Sequence, residues 1–140
     1  MDILAIPYAK TTGIARDAAG NLFLSPAQGV SNHLGTVHAG AQYTLAESAS
    51  ADCLLSTFPE LAAQVVPVLR SSEVRFRHPA STAVYASPAI ETESREKFSR
   101  QFERKGRGAI SVDVLLQDAD GKITLQGRFE WYVVVADGAI

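Results

Sequence analysis

The segment 40–58 constrains the fold of this chain more than any other. Ala41, Leu45, Ser48 or Ala49, and Cys53 recur there at helical spacing, and Pro59 follows as a natural stop. Nearly every face of the resulting helix is small or apolar. A helix that is apolar all round has to be buried on most sides. One carboxylate, Glu47, stands in its second turn. An unpaired charge in such a place is costly, so its presence asks for a reason.

What surrounds the helix reads mostly as strand. Residues 66–69 and 72–77 alternate with a period of two, with Val74 and Phe76 on one side and Arg75 and Arg77 on the other. Residues 84–90 form a further strand, and 109–116 and 123–135 form two long strands around the Asp-Gly-containing turn 118–121. Residues 11–16 and 21–25 flank the turn Asp17-Ala18-Ala19-Gly20-Asn21 and read as a hairpin. Residues 3–9 are weakly apolar, a short helix or an arm. Segment 93–105 is dense in charge, with Phe98 and Phe102 four apart. It reads as a short amphipathic helix with Gly106 as its cap, a strand being the alternative. One buried helix with five or six antiparallel strands gives an α+β domain, a sheet curled around a central helix.

A length of 140 residues fits that single domain, 1–140, and leaves no room for a second. The net charge of −2 gives a nucleic-acid role no electrostatic support. Cys53 is the only cysteine, so no intrachain disulfide can form. Three scattered histidines and one cysteine offer no metal-ligand spacing, and no metal is expected. No signal peptide is evident at the start, and no apolar run approaches membrane-spanning length, so the expectation is a cytoplasmic protein without a membrane partner.

The loop before the helix, Ser31-Asn32-His33-Leu34-Gly35-Thr36-Val37-His38-Ala39-Gly40, carries an amide and an imidazole up to a helix start. Free backbone N–H groups and the positive end of the helix dipole point outward there. Polarising amides beside a lone carboxylate suit attack on a carbonyl.

This arrangement resembles the hotdog-fold acyl-CoA thioesterases, in particular the phenylacetate-pathway (PaaI-like) group and its uncharacterised relatives, over roughly residues 20–135. In that family an Asn, five residues, His-Gly-Gly and then an acidic residue lead into the central helix; here Asn32, His38-Ala39-Gly40 and Glu47 stand at matching spacing. The strand ending Val74-Arg75-Phe76-Arg77-His78-Pro79-Ala80 and the closing 120–135 hairpin are also similar. Two positions depart from the pattern. Ala39 replaces the first Gly, keeping its N–H but adding a methyl, and Glu47 stands where many relatives have Asp.

The resemblance implies a hotdog fold, assembled as a homodimer or homotetramer whose active site is shared between subunits. It implies hydrolysis of an acyl-CoA thioester to a free acid and coenzyme A, with no cofactor. Glu47 would be general base or nucleophile, acting across the interface, or else a structural carboxylate. Asn32 would hold water or the substrate carbonyl, or merely shape the turn. Ala39 and Gly40 would donate N–H groups to the thioester oxygen, each such donor being worth about 2.7–4 kcal/mol to a transition state. His38, counted with the catalytic residues, would orient the loop or polarise the site, or else be hydrogen-bonded scaffold. Ser71 or Ser72 would lie near the site as supporting polar groups. Arg77, Arg104, Lys105 and Arg107 would meet coenzyme A phosphates, or else form a solvated basic face. The alternative function is a non-catalytic hotdog dimer that binds an acyl-CoA or another hydrophobic ligand. A hydratase-type hotdog is disfavoured, because its His–Asp arrangement is not evident.

Overall fold

A computed structural model describes residues 1–137. The chain opens with a single 3-10 turn, Ile3–Ala5, and helix α1, Pro7–Thr12. Strands β1, Ala15–Arg16, and β2, Leu22–Leu24, follow. The long helix α2 spans Ala39–Thr57. Strand β3, Val65–Phe76, and β4, Val84–Ala89, precede helix α3, Thr92–Lys105. Strands β5, Arg107–Asp118, and β6, Ile123–Val135, close the domain.

The strands form one antiparallel sheet in the order β1-β2-β4-β5-β6-β3. It wraps α2, which touches β2, β4, β5 and β6. Eleven of the helix's nineteen residues are buried, on all sides, as its small-residue composition requires. The sheet contributes the larger side chains of the core: Leu24, Val84, Val112, Val114, Leu116, Leu125, Phe129 and Val133. Their alternation with exposed residues along β5 and β6 is the period-two pattern seen in the sequence. This is the hotdog architecture.

The first hairpin is shorter than its sequence suggests. Residues 11 and 12 end α1, and Gly13 stops the helix at φ +87°, a left-handed conformation glycine adopts without strain. Only Ala15 and Arg16 remain for β1. Asp17 shapes the turn, accepting the backbone N–H groups of Ala19 and Asn21 at 2.9 Å each. The guanidinium of Arg16 then clasps the Asp52 carboxylate on α2 through two 2.9 Å bonds.

The two apolar stretches of 65–76 are one strand with a bulge between Leu69 and Ser71. The Arg70 guanidinium lies 3.8 Å over the Tyr132 ring there. This long strand is an edge, paired only with β6 among the described residues. The other irregularity of the sheet is treated differently. Strand β4 pairs with residues 113–118 of β5 and stops, leaving residues 107–112 with no described strand on that side. Helix α3 covers the gap. Its buried Phe98 packs against Phe58 and Phe102 and beside Gly108, where a Cβ would stand 3.1 Å from the ring. Gln101 Oε1 accepts the Ala109 N–H at 3.4 Å. Covering an unpaired edge in this way removes a template for aggregation. The charged segment is therefore a helix, and the left-handed Gly106 caps it.

Candidate active site

The loop 31–38 is held as a small closed unit. Ser31 and Val37 form an antiparallel bridge, and the Asn32 N–H donates to the Thr36 carbonyl at 2.9 Å. The Val37 and His38 N–H groups, bonded to Ala80 and Val30 carbonyls at 2.8 Å each, tie it to the rest of the fold. Asn32 spends most of its side chain inside this unit. Its Oδ1 accepts from the N–H groups of Leu34 and Thr36 at 2.9 and 3.0 Å, and its Nδ2 donates to Thr36 Oγ1 at 2.8 Å. One Nδ2 hydrogen is left.

His38 is the N-cap of α2. Its Nδ1 accepts the Gly40 N–H at 2.8 Å, so that amide is already used. The Ala39 N–H has no acceptor among the described residues, and Ala39 is exposed. Of the two candidate oxyanion donors, the structure leaves Ala39 free and engages Gly40.

Ala39, Asn32 and Arg77 line one cavity of about 270 Å³, together with Phe76, His78 and Gln42. Phe76 is exposed despite sharing a strand side with Val74, because it lies on this cavity at the strand's end. His78 is held by its Nδ1–H donating to the Ile123 carbonyl at 2.9 Å. Gln42 belongs to the site although its place in the sequence does not single it out. It is 4% exposed, its Nε2 reaches the Val37 carbonyl only at 3.4 Å, and its Oε1 has no partner among the described residues. One signal could have found it: a polar amide one turn beyond Ala39, on a helix otherwise small and apolar.

Glu47 lines a different cavity, of about 290 Å³, formed by α2, Pro67, Trp131 and the N-terminal segment. It is half-buried, and among the described residues no cation pairs with it. Burial pushes its carboxyl above the usual glutamate range, and a hydrogen bond from Ser48 partly opposes this. Ser50, in contrast, is structural. Its Oγ donates to the Glu47 carbonyl at 2.7 Å and accepts Trp131 Nε1–H at 2.9 Å.

A single protomer thus brings Asn32, Ala39 and Arg77 together but keeps Glu47 apart from them. Ser72 lies on exposed β3, bonded at 2.7 Å to the hydroxyl of Tyr43, whose ring meets Phe129 edge-on. Ser71 is exposed on the same strand, with no side-chain bond among the described residues. Arg104 and Lys105 line a shallow cleft of α3 with Lys97 and Arg100, separate from both cavities, and Arg107 is exposed at the start of β5. Among the described residues, no three His, Cys, Asp or Glu side chains gather at metal-binding range. Nor is any helix among them long and apolar enough to cross a membrane.

No protein of curated function matches this sequence. Solved structures share its fold. A protein of unknown function from Chlorobaculum tepidum is 17% identical with a TM-score of 0.81, over 93% of this chain and 87% of that one. A Bacillus halodurans protein crystallised with CoA is 21% identical with a TM-score of 0.68, over 88% and 72%. A mutant thioesterase from Pseudomonas aeruginosa is 19% identical with a TM-score of 0.72, over 94% and 88%. At these identities the likeness concerns the fold, and the fold is hotdog. The sequence itself matches the family described as a domain of unknown function (DUF4442) over residues 5–133. The chain is a hotdog-fold member of that family.

Proposed function

We propose that this chain is an acyl-CoA thioesterase, working as a homodimer with a site shared between subunits. The observation that carries the reading is Glu47, a half-buried carboxylate with no cation beside it among the described residues, in a largely apolar cavity, its proton affinity raised by burial. Such groups cluster where proton transfer is needed. The free Ala39 N–H at a helix start is the complementary half. Solved relatives that include a thioesterase and a protein crystallised with CoA support the substrate class. Glu47 and Ala39 line separate cavities of one protomer, which supports a site built from two copies. The bare edge of β3 gives a second copy a place to pair.

In this mechanism the thioester oxygen accepts the Ala39 N–H. The remaining Nδ2 hydrogen of Asn32 orients the substrate or the water. Glu47 of the opposing subunit takes a proton from water, whose oxygen bonds to the carbonyl carbon. The carbon–sulfur bond then breaks, and the thiolate of coenzyme A leaves with the proton that Glu47 held. Arg77, on the Ala39 cavity, would meet phosphate groups of coenzyme A, and Arg104, Lys105 and Arg107 would meet a phosphate lying along α3.

One observation favours a second reading, a hotdog dimer that binds acyl-CoA without cleaving it. Asn32 has three of its side-chain hydrogen bonds committed within its own loop. Thiol release from short, medium, long and aromatic acyl-CoAs, with wild type beside Glu47→Gln, separates the two. Glu47-dependent release establishes the enzyme. Thermal stabilisation by acyl-CoA without release establishes the binding module.

A further inference from the structure

The cavity beside Glu47 has a wall that hydrolysis alone does not require. The N-terminal segment is pinned to the domain by Ile3 and Ala9, which are 3% and 2% exposed. Between and around those pins Met1, Ile6 and Tyr8 remain exposed, yet all three line the cavity. Ala51, one turn beyond Glu47, and Trp131 also line it. Apart from Glu47 and the Tyr8 phenol, the polar side chains on it are small hydroxyls, and that of Thr44 is already donated to the Gly40 carbonyl at 2.9 Å. Large apolar side chains left exposed around one concave surface point to an apolar ligand. The volume of about 290 Å³ lies at the lower end of small-molecule sites. That is too little for a whole acyl-CoA and enough for one acyl chain.

We propose that this cavity receives the acyl chain of the substrate. Its N-terminal wall, through Ile6 and Tyr8, and its inner surface at Ala51 set a preference for medium length. The proposal rests on the thioester reading for the identity of the ligand, but its geometry can be tested without turnover. Trp131 is the only tryptophan of the chain and lies on the cavity, so its emission reports occupancy. Neutral straight-chain alcohols avoid like-charge repulsion with Glu47 and serve as probes.

Butanol, octanol and hexadecanol are titrated into the full chain while Trp131 fluorescence is followed. The expected result is a saturable change, tightest for octanol. Ala51→Leu, which fills the cavity from α2, should weaken octanol about tenfold, in keeping with the effect of a methylene or two in an apolar pocket. Ile6→Phe narrows it from the exposed wall and should do the same if the α2 variant fails to fold. The acyl-CoA preference of Ile6→Phe should move to shorter chains. Absence of a saturable signal, or equal octanol affinity in wild type and Ile6→Phe, overturns the proposal. Length-dependent alcohol binding without thiol release from any acyl-CoA would remove the hydrolysis reading and keep the chain site. Thiol release with an unaltered length profile in Ile6→Phe would do the reverse.

Discussion

His38 Nδ1 accepts the backbone N–H of Gly40 across 2.8 Å, making the imidazole the N-cap of the central helix. A ring nitrogen that accepts an amide hydrogen carries no proton of its own, so the ring's hydrogen is on Nε2. This gives the histidine of the loop a structural task. It also engages the Gly40 amide, one of the two candidate donors to a thioester oxygen.

His38→Ala should therefore cost about 1 kcal/mol of stability, as loss of an N-cap usually does. His38→Asp, which caps equally well, should recover most of it. Denaturant titration measures both. Turnover per folded molecule should stay within a few-fold of wild type; a stable His38→Asp protein with turnover lost would instead give the imidazole a chemical role.

Glu47→Gln should lower kcat by about 10²–10⁴-fold, the usual contribution of a general base. Because burial raises the Glu47 pKa, the wild-type rate should climb with pH through a midpoint above the ordinary glutamate range. A pH–rate profile measures that limb. The same limb should be missing from the residual activity of the variant.

The raised pKa also has a stability consequence of definite sign. The folded protein holds the Glu47 proton at pH values where the unfolded chain has released it. Wild-type stability therefore falls as pH rises from the ordinary glutamate range through the raised value. Glu47→Gln should melt higher than wild type at neutral pH, and the difference should close in acid. Thermal melts at several pH values read this, and an unchanged gap across them would contradict the desolvated environment.

Gln42 Oε1 is buried without a partner among the described residues, and the Nε2 contact with Val37 is long at 3.4 Å. Such an orphan costs about 1–3 kcal/mol, while an apolar residue of similar shape leaves nothing unsatisfied. Gln42→Met should unfold at a higher denaturant concentration than wild type. A lower midpoint would mean the amide makes a bond that Val37 does not account for.

Phe98 is 1% exposed and anchors α3 over the unpaired part of β5. Phe98→Ala should cost about 3–5 kcal/mol. Amide hydrogen exchange should accelerate first around Ala109, whose N–H loses its cover from Gln101.

Much of the fold is legible in the sequence. The small-residue helix forces a wrapping layer, and the alternation in 109–116 and 123–135 supplies it, so a sheet curled around one helix follows from two periodicities, while the hotdog family itself is read from the resemblance carried by Asn32, His38-Ala39-Gly40 and Glu47. The charged helix is legible because Phe98 and Phe102 recur at four and Gly106 follows. The division of the site is not. Asn32, Ala39 and Glu47 are close in sequence, but Asn32 and Ala39 line one cavity and Glu47 another, and spacing alone does not give direction. The engagement of Gly40 by His38 depends on a rotamer, which composition does not fix. The N-terminal wall reads in sequence only as a weakly apolar helix or arm, because its partners, Ala51 and Trp131, are distant in the chain.

The two exposed flanks of the sheet have unequal reach. At one end β1 offers two residues, and at the other β3 offers twelve. If a second copy paired β3 against β3, it would consume the one long flank among the described residues and leave two stubs of two residues each. Under that pairing growth along the sheet would be self-limiting, the geometry that admits one neighbour also setting the count at which addition stops.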